Sequence, residues 1–191
     1  MKKIVMIFLM CLVLISSAMA ETIVEQTTRA GISPNSPFYF IDVWADNIRL
    51  RFTNKIEEKS RLRIEIAEER LAEMEEMAKL KRIESMNKSR EQQTKQITEF
   101  ENSIKLIDDD DTKVLLQKQL LKHIMNVEIL RKRYNNKYKN MFNQTLQNSE
   151  GVFERNQNRI TIQKRQSIDD IHKEILYGKV MLPENSGNGQ N

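Results

Sequence analysis

RIEIAEERLAEMEEMAKLKR, residues 63–82, carries Ile64, Ala67, Leu71, Met74 and Ala78 at spacings of three, four, three and four. That period gathers all five on one side of an α-helix, whereas one face of a strand would need every second residue. The residues between them are mostly Glu, Lys and Arg, which lose little rotamer freedom on entering a helix. Glu57 with Arg61 and Glu75 with Lys79 stand one turn apart in the favourable order, each pair worth about 0.3 kcal/mol. The three-four alternation is that of a left-handed packing seam. Nine acidic and nine basic side chains between Arg51 and Glu84 cancel, so the rest of this helix, over about Asn54–Arg82, reads as a solvated surface.

The surroundings extend the same pattern. From Phe38 to Glu150 there is neither glycine nor proline, so 113 consecutive residues carry none of the usual turn punctuation that a β-rich domain requires every 8–12 residues or so. Upstream, Ser36-Pro37 offers a capping hydroxyl and a proline preset for a first helical turn, and Ile41, Trp44, Ile48 and Phe52 follow at helical spacing. The spacing predicts a first helix from Ser36 whose core face holds these residues, with Trp44 as its buried anchor; were the helix instead a docking segment, Trp44 would be exposed and a candidate interaction residue. Downstream, a turn is expected near residues 83–89, then a third helix with Ile97, Phe100, Ile104 and Ile107 inward. A fourth, from about Lys113, holds Leu116, Leu120, His123, Val127, Leu130 and Tyr134 on its seam. Asp108 to Asp111 precede it as N-cap and first-turn charges; a calcium loop would need alternating ligands, a central glycine and a terminal glutamate. Asn135-Asn136 breaks that helix. Tyr138, Met141, Phe142 and Leu146 continue a stripe, and a last helix begins near Gly151 and ends near Gly178.

The ends follow other rules. Lys2 and Lys3 lead an apolar run from Ile4 to Ile15 that closes on Ala18-Met19-Ala20, the pattern of a signal peptide cleaved after residue 20. A retained membrane anchor is the competing reading. Cys11 does not fit a lipid-attachment site, because Met10 stands where a small residue is required. Cleavage would remove the only cysteine and, with the two lysines, reduce 31 basic residues to 29 against 27 acidic, so the net charge falls from +4 to +2. Residues 21–35 form a polar leader, 36–178 the helical domain, and 179–191 (LPENSGNGQN at its end) a disordered tail. The expected fold is therefore all-α: an elongated antiparallel bundle of four or five helices after an N-terminal signal peptide.

One segment is more specific than helical periodicity. GISPNSPFYFID, residues 31–42, with WADNIRL at 44–50, resembles the opening of a family of uncharacterised exported proteins of archaea and bacteria, catalogued as a domain of unknown function. RIEIAEERLAE at 63–73, Lys122 to Leu130 and Ser149-Glu150-Gly151 are also similar to it. The resemblance spans roughly residues 30–165 and implies export and helicity. No activity and no functional residues come with it, and the family's proline near residues 135–138 is replaced here by Asn135-Asn136-Lys137-Tyr138.

Chemistry is sparse. The two histidines, His123 on an apolar seam and His172 in a polar one, make no zinc site without further ligands. No nucleophile elbow or glycine-rich phosphate loop exists, and no carboxylate pair stands out. The chain reads as a non-enzyme without cofactor, metal or evident small-molecule substrate. Eight basic residues against the single Glu128 fill residues 113–139. Lys122, Arg131, Lys132 and Arg133 among them are candidates for touching an anionic membrane surface, nucleic acid being disfavoured by export. The alternative is pairing with the acidic side of the second helix and with the carbonyl end of their own. Asn87 and Asn143 head Asn-x-Ser/Thr sequons that glycosylation could use. The function expected is helix-face interaction with an unknown protein partner or with itself, in the envelope or exterior. An envelope chaperone or stress-sensor-like helical protein using a Met-rich apolar surface such as Met74, Met77 and Met86, and an anionic-surface binder through residues 113–139, are the alternatives.

Overall fold

The computed structural model describes residues 32–157, 160 and 168. The expected signal peptide, most of the expected leader, His172, the expected helix end near Gly178 and the expected tail lie outside the described residues. Within them the regular structure is five helices: α1 Tyr39–Phe52, α2 Ile56–Lys79, α3 Ile83–Ile104, α4 Asp110–Arg133 and α5 Asn136–Gln157. The chain is all-α, with no strand among the described residues.

α2 to α5 form a bundle. Short links fold α2 back on α3 and α4 back on α5, and the two hairpins abut through α2 with α4 and α3 with α5. Ile64 and Ala67 of α2, Ile97, Phe100 and Ile104 of α3, Leu116, Leu120, Leu121 and Ile124 of α4, and Val152 and Phe153 of α5 share one apolar cluster. Leu71, Met74, Met77, Ala78, Met86, Val127, Leu130, Met141 and Phe142 make a second. Early residues of α2 and α4 thus meet late residues of α3 and α5 in the first cluster, and the reverse holds in the second. Consecutive helices are antiparallel, while α2 runs parallel to α4 and α3 to α5. Helices of 22–24 residues are about 33–36 Å long, so the clusters stack along an elongated body. The expected seams of α2, α3 and α4 are all buried, Tyr134 apart, which is half-buried. Ile160 and Ile168 join the first cluster.

Asp109 caps α4 as its sequence suggests: its carboxylate accepts from the Thr112 amide at 2.7 Å, with Asp110 and Asp111 in the first turn. Other boundaries differ from expectation. The α2–α3 turn lies at Leu80–Arg82, not at residues 83–89, which are helical. The Arg82 amide donates to the Met77 carbonyl and the Lys81 amide to that of Ala78, with Lys81 at φ 57°. This is a Schellman close carrying lysine where glycine is usual. Gly151 starts no helix; it lies inside α5, which runs unbroken from Asn136 to Gln157. α1 begins at Tyr39, three residues after Ser36, because the Ser36 hydroxyl accepts from the Phe38 amide and forms a separate turn before the helix.

The largest correction concerns α1. Trp44 is no core anchor: it is 63% exposed, and Phe40 and Phe52 are 68% and 77% exposed. Ile41 is exposed and Ile48 half-buried. The opposite side of the same helix, with Asp46 and Leu50, faces α2. The reason is electrostatic, and it lies in the partner that α2 offers.

Candidate functional site

Arg70 on α2 is 1% exposed and needs counter-charges there. α1 supplies them. Its residues Asp42 and Asp46, one turn apart, both accept from Arg70 Nη2, the first at 2.6 Å, and its Tyr39 hydroxyl accepts from Nη1 at 3.3 Å. Glu73, one turn along α2, accepts from Arg70 Nη1, from the Tyr39 hydroxyl at 3.1 Å and from the Ser89 hydroxyl of α3 at 2.7 Å. The guanidinium also stands 5.5 Å from the centre of the Tyr39 ring. Arg49 joins the edge, 3.8 Å from Glu65 and from Glu69. α1 is therefore tied down by its polar side, which sends the Phe40–Trp44–Phe52 stripe outward.

The cluster holds more acid than base, and burial shapes its protonation. Burial would discharge Arg70, but Glu73 and the hydrogen bond to Asp42 raise its pKa above the ordinary guanidinium range. Burial pushes Glu73 up to about 7 against the opposing pull of Arg70, Ser89 and Tyr39. It raises Asp46 and Glu69 as well, the arginines notwithstanding. Tyr39 is raised by burial and by the Glu73 charge.

A second polar set crosses the bundle between the two apolar clusters, with residues from all four of its helices. His123 of α4 contacts Glu68 of α2 through Nδ1 at 3.0 Å and Gln93 of α3 through Nε2 at 2.9 Å. The Gln93 amide nitrogen also donates to the Ser149 hydroxyl of α5 at 3.4 Å. Since an amide nitrogen only donates, Nε2 of His123 is the acceptor and its proton sits on Nδ1, pointing at Glu68. Asn126 donates to both oxygens of Glu68, at 3.1 and 3.3 Å. Burial alone would raise Glu68, yet the bonds from His123 and Asn126 bring its pKa below the usual carboxylate value. His123 is thus a fully satisfied core histidine.

The central groups of the two sets, Arg70, Glu73, Ser89, Gln93, His123 and Ser149, are buried, while Asp42, Glu68 and Glu69 at their edges are partly exposed. Among the described residues, no three His, Cys, Asp or Glu side chains are grouped to hold a metal ion.

The basic segment is dispersed rather than pooled. Arg131 and Lys132 pair with Glu128 inside α4, and Arg133 reaches Glu75 of α2 at 2.6 Å. Lys118, Lys122, Lys137 and Lys139 are exposed. Met74, Met77 and Met86 are fully buried, so they form no exposed surface. Asn87 lies within α3, bonded to Glu91 and Arg90, and Asn143 within α5. The hydroxyls that complete their sequons, Ser89 and Thr145, are buried.

Among the described residues, five of the eight large exposed apolar side chains lie on or beside α1, Phe38, Phe40, Ile41, Trp44 and Phe52, the others being Leu80, Leu106 and Leu115. At the 150–250 Å² typical of an aromatic side chain, the exposed fractions of the five at α1 add to roughly 600 Å² of apolar surface. Trp44 is the one interaction candidate from the sequence that belongs to this surface. Sequence reasoning missed Tyr39, Asp42, Asp46, Arg70 and Glu73. The available signal was two acids one turn apart on the side of α1 opposite its apolar stripe. A family model, described as a domain of unknown function (DUF5667), matches residues 31–175. No curated protein and no solved structure matches the chain.

Proposed function

We propose that this chain, which belongs to the DUF5667 family through residues 31–175, is an exported, non-enzymatic helical module that works by docking through the outward face of α1. One observation carries the reading: a helix fixed to the bundle by its polar side leaves its aromatic side to solvent. A helix that served only the fold would bury that side, since each aromatic hidden is worth about 1.5–3 kcal/mol. The buried charged groups around Arg70 and His123 bond to one another, which suits a structural rather than a catalytic role and favours contact as the way the chain works. The basic run at the start of the chain and the small-residue triplet ending at Ala20 support export.

The test is Trp44→Ser in the full chain, followed in native cells. The expected outcome is an unchanged thermal midpoint in the purified protein together with loss of the chain from the fraction where the wild type resides. A variant that melts markedly earlier would return α1 to a structural role.

A further inference from the structure

We infer that the outward face of α1 is a seat for the surface of an anionic lipid membrane, with Phe40, Trp44 and Phe52 entering the headgroup boundary and Arg51 meeting lipid phosphate. This rests on the docking reading above and names its partner.

Charge is the first argument. The exposed positions of α1 hold five apolar residues, one asparagine and two arginines, Arg49 and Arg51, and no acid. Both acids of the helix, Asp42 and Asp46, are turned inward onto Arg70. Folding thus turns the acids of α1 off this face and leaves Arg51 on it, while Arg49 is held at its edge by Asp46, Glu65 and Glu69. An apolar side rich in Trp and Phe beside arginine is the composition of a helix lying in a membrane interface, where amphipathic rings sit between water and hydrocarbon.

Shape and area are the second. α1 is a single helix of 14 residues, about 21 Å long, on the flank of the bundle, and its stripe is a convex ridge. The roughly 600 Å² it offers falls short of the roughly 800 Å² per partner that a stable pair of copies would bury. A bilayer needs no complementary groove, only a ridge able to enter about 5–10 Å. The third is reach. Fifteen residues separate Ala20 from Ser36, a span of at most about 50 Å, so the Ile4–Ile15 segment, if kept in a membrane, would hold α1 near its surface.

Trp44 is the chain's only tryptophan and so reports on this face directly. The probe is vesicles of phosphatidylcholine with one-third phosphatidylglycerol. Their addition is expected to shift Trp44 emission to the blue and to expose it to quenching by brominated acyl chains. Arg51→Gln should weaken the response about fivefold, the share of one arginine at such a surface, with the melting curve unchanged. Unshifted emission, or equal responses to neutral and anionic vesicles, overturns the lipid assignment. A blue shift that grows with protein concentration without lipid gives the face to a second copy, which overturns the assignment and keeps the docking reading. Trp44 shielded from acrylamide in the dilute monomer would end both.

Discussion

Glu73 gives the molecule a stability that falls as pH rises through neutrality. Its pKa in the folded chain is about 7, mainly from burial, against 4.5 for the free side chain. A group raised in this way stabilises the fold fully below its unfolded value, and that contribution is lost as pH climbs through the folded value. The difference of about 2.5 in pKa corresponds to about 3 kcal/mol, removed between roughly pH 4.5 and 7.5. Glu73→Gln should abolish this dependence without emptying the site. The amide oxygen can still accept from Arg70, and the Tyr39 and Ser89 hydroxyls, which now donate to Glu73, can turn and accept from the amide nitrogen. Urea unfolding of wild type and variant at steps from pH 5 to 8.5 isolates the effect, because all other titrations cancel in the difference. The variant should gain on the wild type by about 2–3 kcal/mol over that range, half of it by about pH 6 and with a plateau above about 7.5. Parallel curves would show that Glu73 is ionised throughout and that the burial argument is wrong.

Three further outcomes follow from single residues. Trp44→Ala should change unfolding free energy by less than about 0.5 kcal/mol, where a buried aromatic would cost about 3–5; chemical denaturation separates the two. Lys81→Gly should stabilise by about 1 kcal/mol, since glycine meets φ 57° without the steric penalty of a β-carbon, and an unchanged or lower melting point would speak against the Schellman close. Asp109→Ala removes the cap on the Thr112 amide and should cost about 1 kcal/mol, seen as a lower urea midpoint at unchanged slope.

The seams of α2 to α4 were legible because burial leaves a three-four rhythm that no competing structure shares. Ile64 to Ala78 and Leu116 to Leu130 are buried as their spacing implied. For α1 the rhythm was equally clear and the inference inverted. Periodicity says that one side of a helix is apolar; it does not say which way that side points, and here Arg70 on another helix settled the matter. Arg70 itself, set among glutamates in AEERLAE, looks like any solvated charge. The α2–α3 turn was misplaced because its left-handed residue is Lys81, and Gly151 misled in the opposite sense by sitting mid-helix. Gln93, Glu68 and Ser149 were invisible because a polar residue on a seam gives no sign that its partners are buried with it.

The layer that joins Glu68, Gln93, His123 and Ser149 has a consequence for register. Leucine, isoleucine and methionine pack almost as well after a slip of one helical turn, about 5.4 Å. With apolar clusters alone, the α4–α5 hairpin would have near-equal alternatives for where to stop along α2 and α3. A slip of one turn would carry His123 to another level, opposite side chains of the apolar clusters, and leave Glu68 and Gln93 without their partners. Each stranded buried group costs about 1–3 kcal/mol. The layer therefore acts as a key: it adds little to the depth of the native minimum and raises its neighbours, so that the two hairpins close in one alignment and the Arg70 pocket faces the side where α1 returns.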